Sequence, residues 1–181
     1  MKRSLVAIIA FGAFFLTSCM DIETSKQLDR ISEMNTTIDS IEVVFKEHRL
    51  DTLAKLSLSA YSVENRIKNN YYSDTISIEF SRKMDAFKVM RRNFAPLGKS
   101  MGIIPKSIEE ARSKLKELQA DIENGNGKRE KYEEFVAFED AKVGQLRTLL
   151  KEYVDTKNAS VKTYEELYNE LNDFSMSLLK K

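Results

Sequence analysis

Apolar residues recur through most of this chain at alternating spacings of three and four residues, which is the period of one face of an α-helix. From Asp21 to Ala95 there is no Gly and no Pro to interrupt that period. The pattern therefore predicts an all-α protein, an elongated antiparallel helical bundle with coiled-coil-like packing that has two long and two shorter helices. The rows of apolar positions, called seams below, are Ile31, Met34, Ile38, Ile41, Phe45 and His48; Leu53, Leu56, Ala60, Val63 and Ile67; Ile76, Phe80, Met84, Phe87 and Phe94; Ile108, Ala111, Leu115, Leu118 and Ile122; and Val143, Leu146, Leu150, Tyr153, Lys157, Ser160, Tyr164, Leu167, Leu171, Phe174 and Leu178.

The first two seams favour one long helix over residues 25–71. Between Phe45 and Leu53 the phase slips by one residue, at Arg49-Leu50-Asp51-Thr52. This slip predicts a kink in the long helix or, as the alternative, a new helix capped by Asp51. A second helix is expected over residues 75–95, with Asp74 as its N-cap.

Residues 96–105 contain both prolines and two glycines, and are predicted to be a loop. A short helix over residues 106–124 should then stop at Asn124-Gly125-Asn126-Gly127. The last seam keeps its heptad phase through two polar positions, Lys157 and Ser160, which favours one continuous helix over residues 128–178. The short helix should turn back along residues 128–146, so that residues 150–178 must be covered by the N-terminal helix and by residues 75–95.

The first nineteen residues differ from the rest. A basic start, Met1-Lys2-Arg3, precedes twelve apolar residues from Leu5 to Leu16. A helix of that length spans about 18 Å, too short for a bilayer core of about 30 Å but typical of a signal peptide. The run ends in Leu16-Thr17-Ser18-Cys19, which resembles the lipobox of bacterial lipoproteins: an aliphatic residue, two small residues and a cysteine.

The lipobox resemblance implies cleavage between Ser18 and Cys19 and attachment of acyl chains such as palmitate to Cys19. Residues 1–18 are then the leader, 19–26 the lipidated tether and 27–181 the helical bundle domain. Removal of Lys2 and Arg3 leaves 27 basic residues against 28 acidic, a net charge of −1. A nearly neutral chain gives no global attraction to nucleic acid. Two or three acyl chains are enough for stable anchoring in a membrane.

The residues after Cys19 bear on where the anchor is held. Met20 rather than Asp follows the cysteine, which resembles the sorting pattern of outer-membrane lipoproteins. Asp21 and Glu23 loosely resemble a surface-export signal but also suit the first turn of a helix. The outer membrane is therefore predicted, with the periplasmic side and the cell surface both left open.

Candidate catalytic chemistry is sparse. The single Cys excludes a disulfide framework within the chain, and the single His excludes an ordinary His-based zinc site. A di-iron bundle needs Glu-x-x-His pairs, but Phe45 lies three residues before His48, which is predicted instead to be a half-buried, hydrogen-bonded residue. No phosphate loop, dinucleotide fingerprint or nucleophile turn is present. We therefore expect no enzyme, no cofactor and no metal.

One stretch is strongly basic. Residues 82–92 carry five cations against Asp85 alone. They are predicted either to contact an anionic lipid or an acidic partner, or to form a solvated face that acids on neighbouring helices balance. The cations are Arg82, Lys83, Lys88, Arg91 and Arg92.

The stretch from Asp121 to Tyr132, with the heptad helix after it, resembles a group of small helical Bacteroidetes lipoproteins, some labelled "viral A-type inclusion protein". The resemblance implies no activity and no functional residues.

With the anchor and the heptads, the sequence predicts a non-enzymatic envelope lipoprotein with a structural or adaptor role toward another envelope protein. The alternative is a binding module that holds a hydrophobic or anionic ligand in a bundle groove. Self-association through Leu171–Leu178 stays open.

Overall fold

The computed structural model describes the backbone of residues 2–75 and 77–180, and the side chains of residues 22–75 and 77–180. These residues form an all-α bundle with no β-strand, as the seams predicted. Three helices are long: α1 (Lys2–His48), α3 (Ile78–Asn124) and α4 (Tyr132–Ser177), of 47, 47 and 46 residues. The fourth, α2 (Leu53–Asn70), has 18 residues. Two 3₁₀ turns, Arg129–Lys131 and Leu178–Lys180, flank α4.

The chain divides into two compact units, and α1, α3 and α4 each contribute residues to both. The first unit contains Met1–Glu42 and Ser107–Arg147, and the second contains Val43–Lys106 and Thr148–Lys181. Residues 22–26, which were assigned to the tether, already belong to α1. Ser18 and Cys19 lie outside the residues whose side chains are described.

The preference for one helix over residues 25–71 was wrong, because α1 ends at His48 and α2 begins at Leu53. The backbone groups that the break frees find a partner on α4. The Tyr153 hydroxyl accepts a hydrogen bond from the amide of Leu50 (3.2 Å) and donates one to the carbonyl of His48 (3.1 Å). Asp51 does not cap α2, since Thr52 precedes the helix and Asp51 pairs with Arg49 at 2.8 Å.

The predicted loop over residues 96–105 was also wrong, because Pro96 and Pro105 both lie inside α3. A proline within a helix removes one backbone hydrogen bond and usually kinks or breaks the helix. Here the apolar seam passes through the segment in phase, and Leu97 and Ile104 are buried. Continuous burial of that seam explains why the two predicted helices, 75–95 and 106–124, are one.

The N-terminus of α3 lies later than predicted. The helix begins at Ile78, and the Ser77 hydroxyl accepts a hydrogen bond from the amide of Phe80 at 3.1 Å. Ser77, rather than Asp74, is therefore the N-cap. At the other end, α3 stops at Asn124 as predicted.

The turn between α3 and α4 depends on two glycines with positive φ, Gly125 (65°) and Gly127 (78°). The amide of Asn126 donates to the carbonyl of Asp121 at 2.8 Å, which closes the last turn of α3 as a Schellman motif. The Tyr132 hydroxyl, at the start of α4, donates to the same carbonyl at 2.9 Å. In the first unit α3 therefore turns back along α4, as expected.

The core of the first unit is built mostly from the predicted seams of α1, α3 and α4, joined by Tyr132 and Val136, which lie on none of those seams. On α1, Arg30 forms an ion pair with Glu133 of α4 at 2.5 Å, and on α3, Arg112 pairs with Glu42 of α1 at 2.7 Å. These pairs border the apolar interior. The buried apolar residues of this unit are Ile31, Met34, Ile38, Ile41, Ile108, Ala111, Leu115, Leu118, Ile122, Tyr132, Val136, Val143 and Leu146.

In the second unit, polar contacts fix the direction of the helices. Ser59 of α2 contacts Tyr164 of α4 at 2.8 Å, and seven residues later Arg66 reaches Asn172 at 2.7 Å, so these two helices run parallel. On α3, Lys83 pairs with Glu170 (2.8 Å) and Asn93 contacts Ser160 (3.4 Å), which requires α3 to run antiparallel to α4. Residues of α2 and of 78–95 thus cover the second half of α4, as predicted.

The polar positions in the last seam are partnered, and α4 is continuous through them. Ser160 is only 1% exposed and contacts Asn93. The Lys157 ammonium lies 3.4 Å from Nδ1 of His48, which is half-buried. The prediction of a half-buried, hydrogen-bonded His48 is confirmed.

Candidate functional site

The five cations predicted on residues 82–92 are divided by the fold into three groups. Two of the cations, Lys83 and Arg91, are neutralised by acidic side chains. Lys83 pairs with Glu79 at 3.0 Å and with Glu170 at 2.8 Å, and hydrogen bonds to Glu170 and then Glu79 raise its pKa. Arg91 pairs with Glu64 of α2, and its guanidinium lies 5.9 Å from the ring centroid of Tyr61.

Two other cations, Lys88 and Arg92, line a cleft between α2 and α3 in the second unit. Lys68 of α2 lines the same cleft from the other side. The fifth, Arg82, is exposed, forms no ion pair within the described residues and does not line the cleft. The sequence singled out Lys88 and Arg92 but missed Lys68, because no pattern in α2 shows which face α3 will approach.

The cleft has a volume of about 390 Å³, within the range of about 300–1,000 Å³ that is usual for small-molecule sites. Its lining is mixed rather than uniformly polar. Apolar surface comes from Ile67 and Tyr71 of α2 and from Phe80 and Met84 of α3. Such a surface of apolar groups with a few charged ones suits a ligand that is itself amphipathic.

An aromatic cluster closes the end of the cleft where α2 leads into α3. Tyr71 and Phe80 have ring centroids 5.2 Å apart, and both pack against Phe174 of α4, at 5.4 Å and 5.0 Å. Aromatic pairs at these distances and tilts are stabilising beyond their buried area. The cluster therefore packs the end of α2 and the start of α3 against α4 at one end of the cleft.

The charges that line the cleft do not cancel. Glu64 is neutralised by Arg91, as described. Within the described part of the chain, Lys68, Lys88 and Arg92 make no ion pair, and neither does Asp85. Three cations against one carboxylate leave an excess of two positive charges, which favours an anionic ligand.

The other polar groups inside the bundle do not form a second cluster of this kind within the described residues. In residues 22–75 and 77–180 there is no group of three or more His, Cys, Asp or Glu side chains close enough to hold a metal ion. Arg66 donates from Nε to Ser175 at 2.9 Å and from Nη2 to Asn172 at 2.7 Å, so its guanidinium is held against α4. Glu139 is 8% exposed, and its Oε2 lacks a hydrogen-bond partner, while Oε1 lies 3.7 Å from Lys142. A single carboxylate does not by itself make a binding site.

Comparison of the chain with models of protein families, with curated proteins and with solved structures gave no match. Among the residues that were described, none of the helices combines the length and the apolar character needed to cross a membrane. The α2–α3 cleft is therefore the candidate site on its geometry alone.

Proposed function

We propose that this chain is a lipid-anchored, non-enzymatic binding protein of the bacterial outer membrane, and that the α2–α3 cleft holds an anionic ligand. The observation that carries this proposal is the set of three cations, Lys68, Lys88 and Arg92, that line the cleft without an ion pair. A surface cation is ordinarily either paired or fully solvated. Lys68 and Arg92 are exposed, but Lys88 is half-buried beside an apolar surface and makes no ion pair within the described residues, which is an arrangement that an anion would stabilise.

The neighbouring ion pairs support the same interpretation. Lys83 and Arg91 lie on the same helix and are matched by Glu170 and Glu64. Acids of neighbouring helices thus balance these two cations, whereas Lys88 and Arg92 inside the cleft and the exposed Arg82 outside it make no ion pair within the described residues. Of the two alternatives for residues 82–92, the solvated face describes Lys83 and Arg91, and the anionic contact describes Lys88 and Arg92.

The ligand can be sought in the purified protein. We expect native mass spectrometry of the full chain, extracted in neutral detergent, to show one bound anion per protein. Lys88→Gln combined with Arg92→Gln should remove it, while the control Arg82→Gln should retain it, because Arg82 lies outside the cleft. A ligand that survives the double substitution would place the binding site elsewhere.

The anchor requires its own test, since Cys19 lies outside the described side chains. We expect radiolabelled palmitate to be incorporated into the full chain and the protein to sediment with outer membranes. Cys19→Ala should abolish both, and Ser25→Ala, a small change soon after the lipobox, should alter neither. Label that persists in Cys19→Ala would contradict lipidation at this residue.

An adaptor role toward another envelope protein is the second candidate, and one observation favours it. Phe135 and Phe138 of α4 are 43% and 57% exposed on the first unit, and the Lys142 ammonium lies 4.6 Å from the Phe138 ring centroid. Exposed aromatic side chains are enriched at protein interfaces. If so, in-cell cross-linking should capture one dominant protein, and Phe135→Ser with Phe138→Ser should abolish it without affecting the cleft ligand.

A further inference from the structure

We infer that the ligand of the α2–α3 cleft is a phosphorylated amphiphile, with one phosphate group bound by Lys68, Lys88 and Arg92 and an apolar chain directed toward Tyr71 and Phe80. This inference rests on the proposed function and narrows it to a chemical class. Three features of the cleft carry it: the order of its lining residues, its charge and its volume.

The lining residues change from apolar to cationic along α3. Phe80 and Met84 come first, beside the polar Ser81 and Asp85, and Lys88 and Arg92 follow at one-turn intervals. Phe80 and Arg92 are separated by about 18 Å along the helix axis. The cleft therefore has an apolar end, next to the aromatic cluster, and a cationic end.

The antiparallel approach of α2 directs the three cations toward one another. Helical side chains lean toward the N-terminus of their own helix. Lys88 and Arg92 consequently lean toward Phe80, whereas Lys68 on α2 leans toward Glu64, away from Tyr71. This lean tilts all three side chains toward the middle of the cleft, where the apolar lining ends.

The charge favours a phosphate over a carboxylate. The excess of two positive charges described above matches a phosphate monoester, which carries about −1.5 to −2 at pH 7 and offers three acceptor oxygens. Lys68, Lys88 and Arg92 supply three cationic donors for those oxygens. A carboxylate carries a single negative charge and would leave one positive charge of that excess unbalanced.

The volume limits the apolar part. A space of about 390 Å³ is near the lower end of small-molecule sites, so it accepts a phosphate with a short chain or the first carbons of a longer one. The same chemistry can come from a lipid headgroup or from a small soluble phosphate ester. Titration with matched probes distinguishes a lipid headgroup, a soluble phosphate ester and free phosphate from one another.

The test uses the full-length lipoprotein in neutral detergent and isothermal titration with matched probes. Hexyl phosphate carries both parts of the ligand, inorganic phosphate only the anion, hexanol only the chain, and hexanoate a single-charged head on a similar chain. We expect hexyl phosphate to bind one-to-one and at least about tenfold more tightly than any of the other three. A short-chain phosphatidic acid that binds still more tightly would identify a lipid as the source, whereas equal binding would favour a soluble ester.

Variants locate the binding. Lys88→Gln and Arg92→Gln should each weaken hexyl phosphate about tenfold, since each removes one charge-assisted hydrogen bond. Arg82→Gln makes the same change on the same helix, outside the cleft, and should change nothing. Thermal unfolding of each variant should match that of the parent, because both targeted side chains lie on the surface of the cleft.

Different failures overturn different statements. If hexanoate binds as tightly as hexyl phosphate and still depends on Lys88, the anionic site stands and the phosphate assignment is wrong. If inorganic phosphate binds equally well, the apolar chain is not recognised. If none of the anions binds, or if Arg82→Gln weakens binding as much as Arg92→Gln, both this inference and the proposed function are wrong.

Discussion

Two segments of the second unit differ in a way that sequence composition does not suggest. Residues 49–52 contain neither Gly nor Pro, yet helix α1 ends there. Residues 96–105 contain two prolines and two glycines, yet α3 passes through them. In the first segment the apolar seam slips by one residue, and in the second Leu97 and Ile104 stay in phase and buried. Continuity of the buried seam, more than the presence of helix breakers, decides where these helices end.

The surroundings of the two segments explain the difference. The break exposes backbone groups, and Tyr153 of α4 satisfies them through its hydroxyl. The prolines instead lie to the side of the seam, where Pro96 is exposed. Gly98 faces Leu53 at the start of α2, since a Cβ added there would lie 3.5 Å from that side chain. Each segment is thus defined by its neighbours on other helices.

The largest expected effect comes from truncation of the seam between the prolines. Ile104 is 0% exposed, so Ile104→Ala should destabilise the protein by about 2–5 kcal/mol, through lost burial and the cavity left behind. Its neighbour Ile103 is 49% exposed, and Ile103→Ala should stay within about 0.5 kcal/mol. Urea unfolding measures both. Equal effects would show that the segment behaves as a loop.

Replacement of a proline should change the stability of the protein in the opposite direction. Pro96→Ala restores a backbone hydrogen bond within α3 and should stabilise the protein by about 2 kcal/mol, less than the full helix penalty because proline also restricts the unfolded chain. Lys99→Ala, a nearby exposed substitution, serves as the control and should be nearly neutral. A loss of stability in Pro96→Ala would mean that the proline itself shapes the segment.

The break between α1 and α2 should be stabilised by the hydroxyl of Tyr153. Tyr153→Phe leaves the amide of Leu50 and the carbonyl of His48 without a bond, at a cost of about 1.5 kcal/mol. Tyr72→Phe removes an exposed hydroxyl, since Tyr72 is 85% exposed, and should cost almost nothing. If the two substitutions cost the same in urea unfolding, Tyr153 does not hold the break.

The smallest effect is a dependence on alkaline pH. Burial raises the pKa of Tyr153, and burial likewise raises that of Tyr164. A pKa that is higher in the folded than in the unfolded protein contributes stability that is complete below the unfolded value, about 10, and is lost as the pH rises above it. Unfolding free energies at about pH 8 and about pH 10.5 should therefore differ less in Tyr153→Phe than in the parent. An identical loss would assign the pH dependence to other groups.

The seams predicted the core well because burial follows periodicity. Most of the buried apolar residues lie on a predicted seam, including Ile38, Val63 and Leu115. Others, such as Met90 and Val136, lie on none of the predicted seams. The helix ends were harder, because the partner that stabilises the break, Tyr153, is distant in sequence. Leu97 and Ile104 continue the helical spacing of apolar residues through the segment that contains the prolines. That spacing indicates a continuous helix when it is given more weight than the prolines and glycines.

The candidate site was only half predictable. Sequence located the basic stretch, but it could not separate Lys83 and Arg91, which find acids on other helices, from Lys88 and Arg92, which do not. That separation depends on the register between α2, α3 and α4, which no local pattern encodes. Lys68 was missed for the same reason.

The Tyr153 hydroxyl, which bonds backbone groups at the break, also makes the amide of Leu50 a reporter of local opening. The Leu50 N–H can exchange with deuterium only when the Tyr153 hydroxyl moves away from it. Its exchange rate therefore records how often α4 separates locally from the chain at residues 48–50, at single-residue resolution and without any label. A ligand that tightens the second unit should slow this one amide even though it binds elsewhere in that unit.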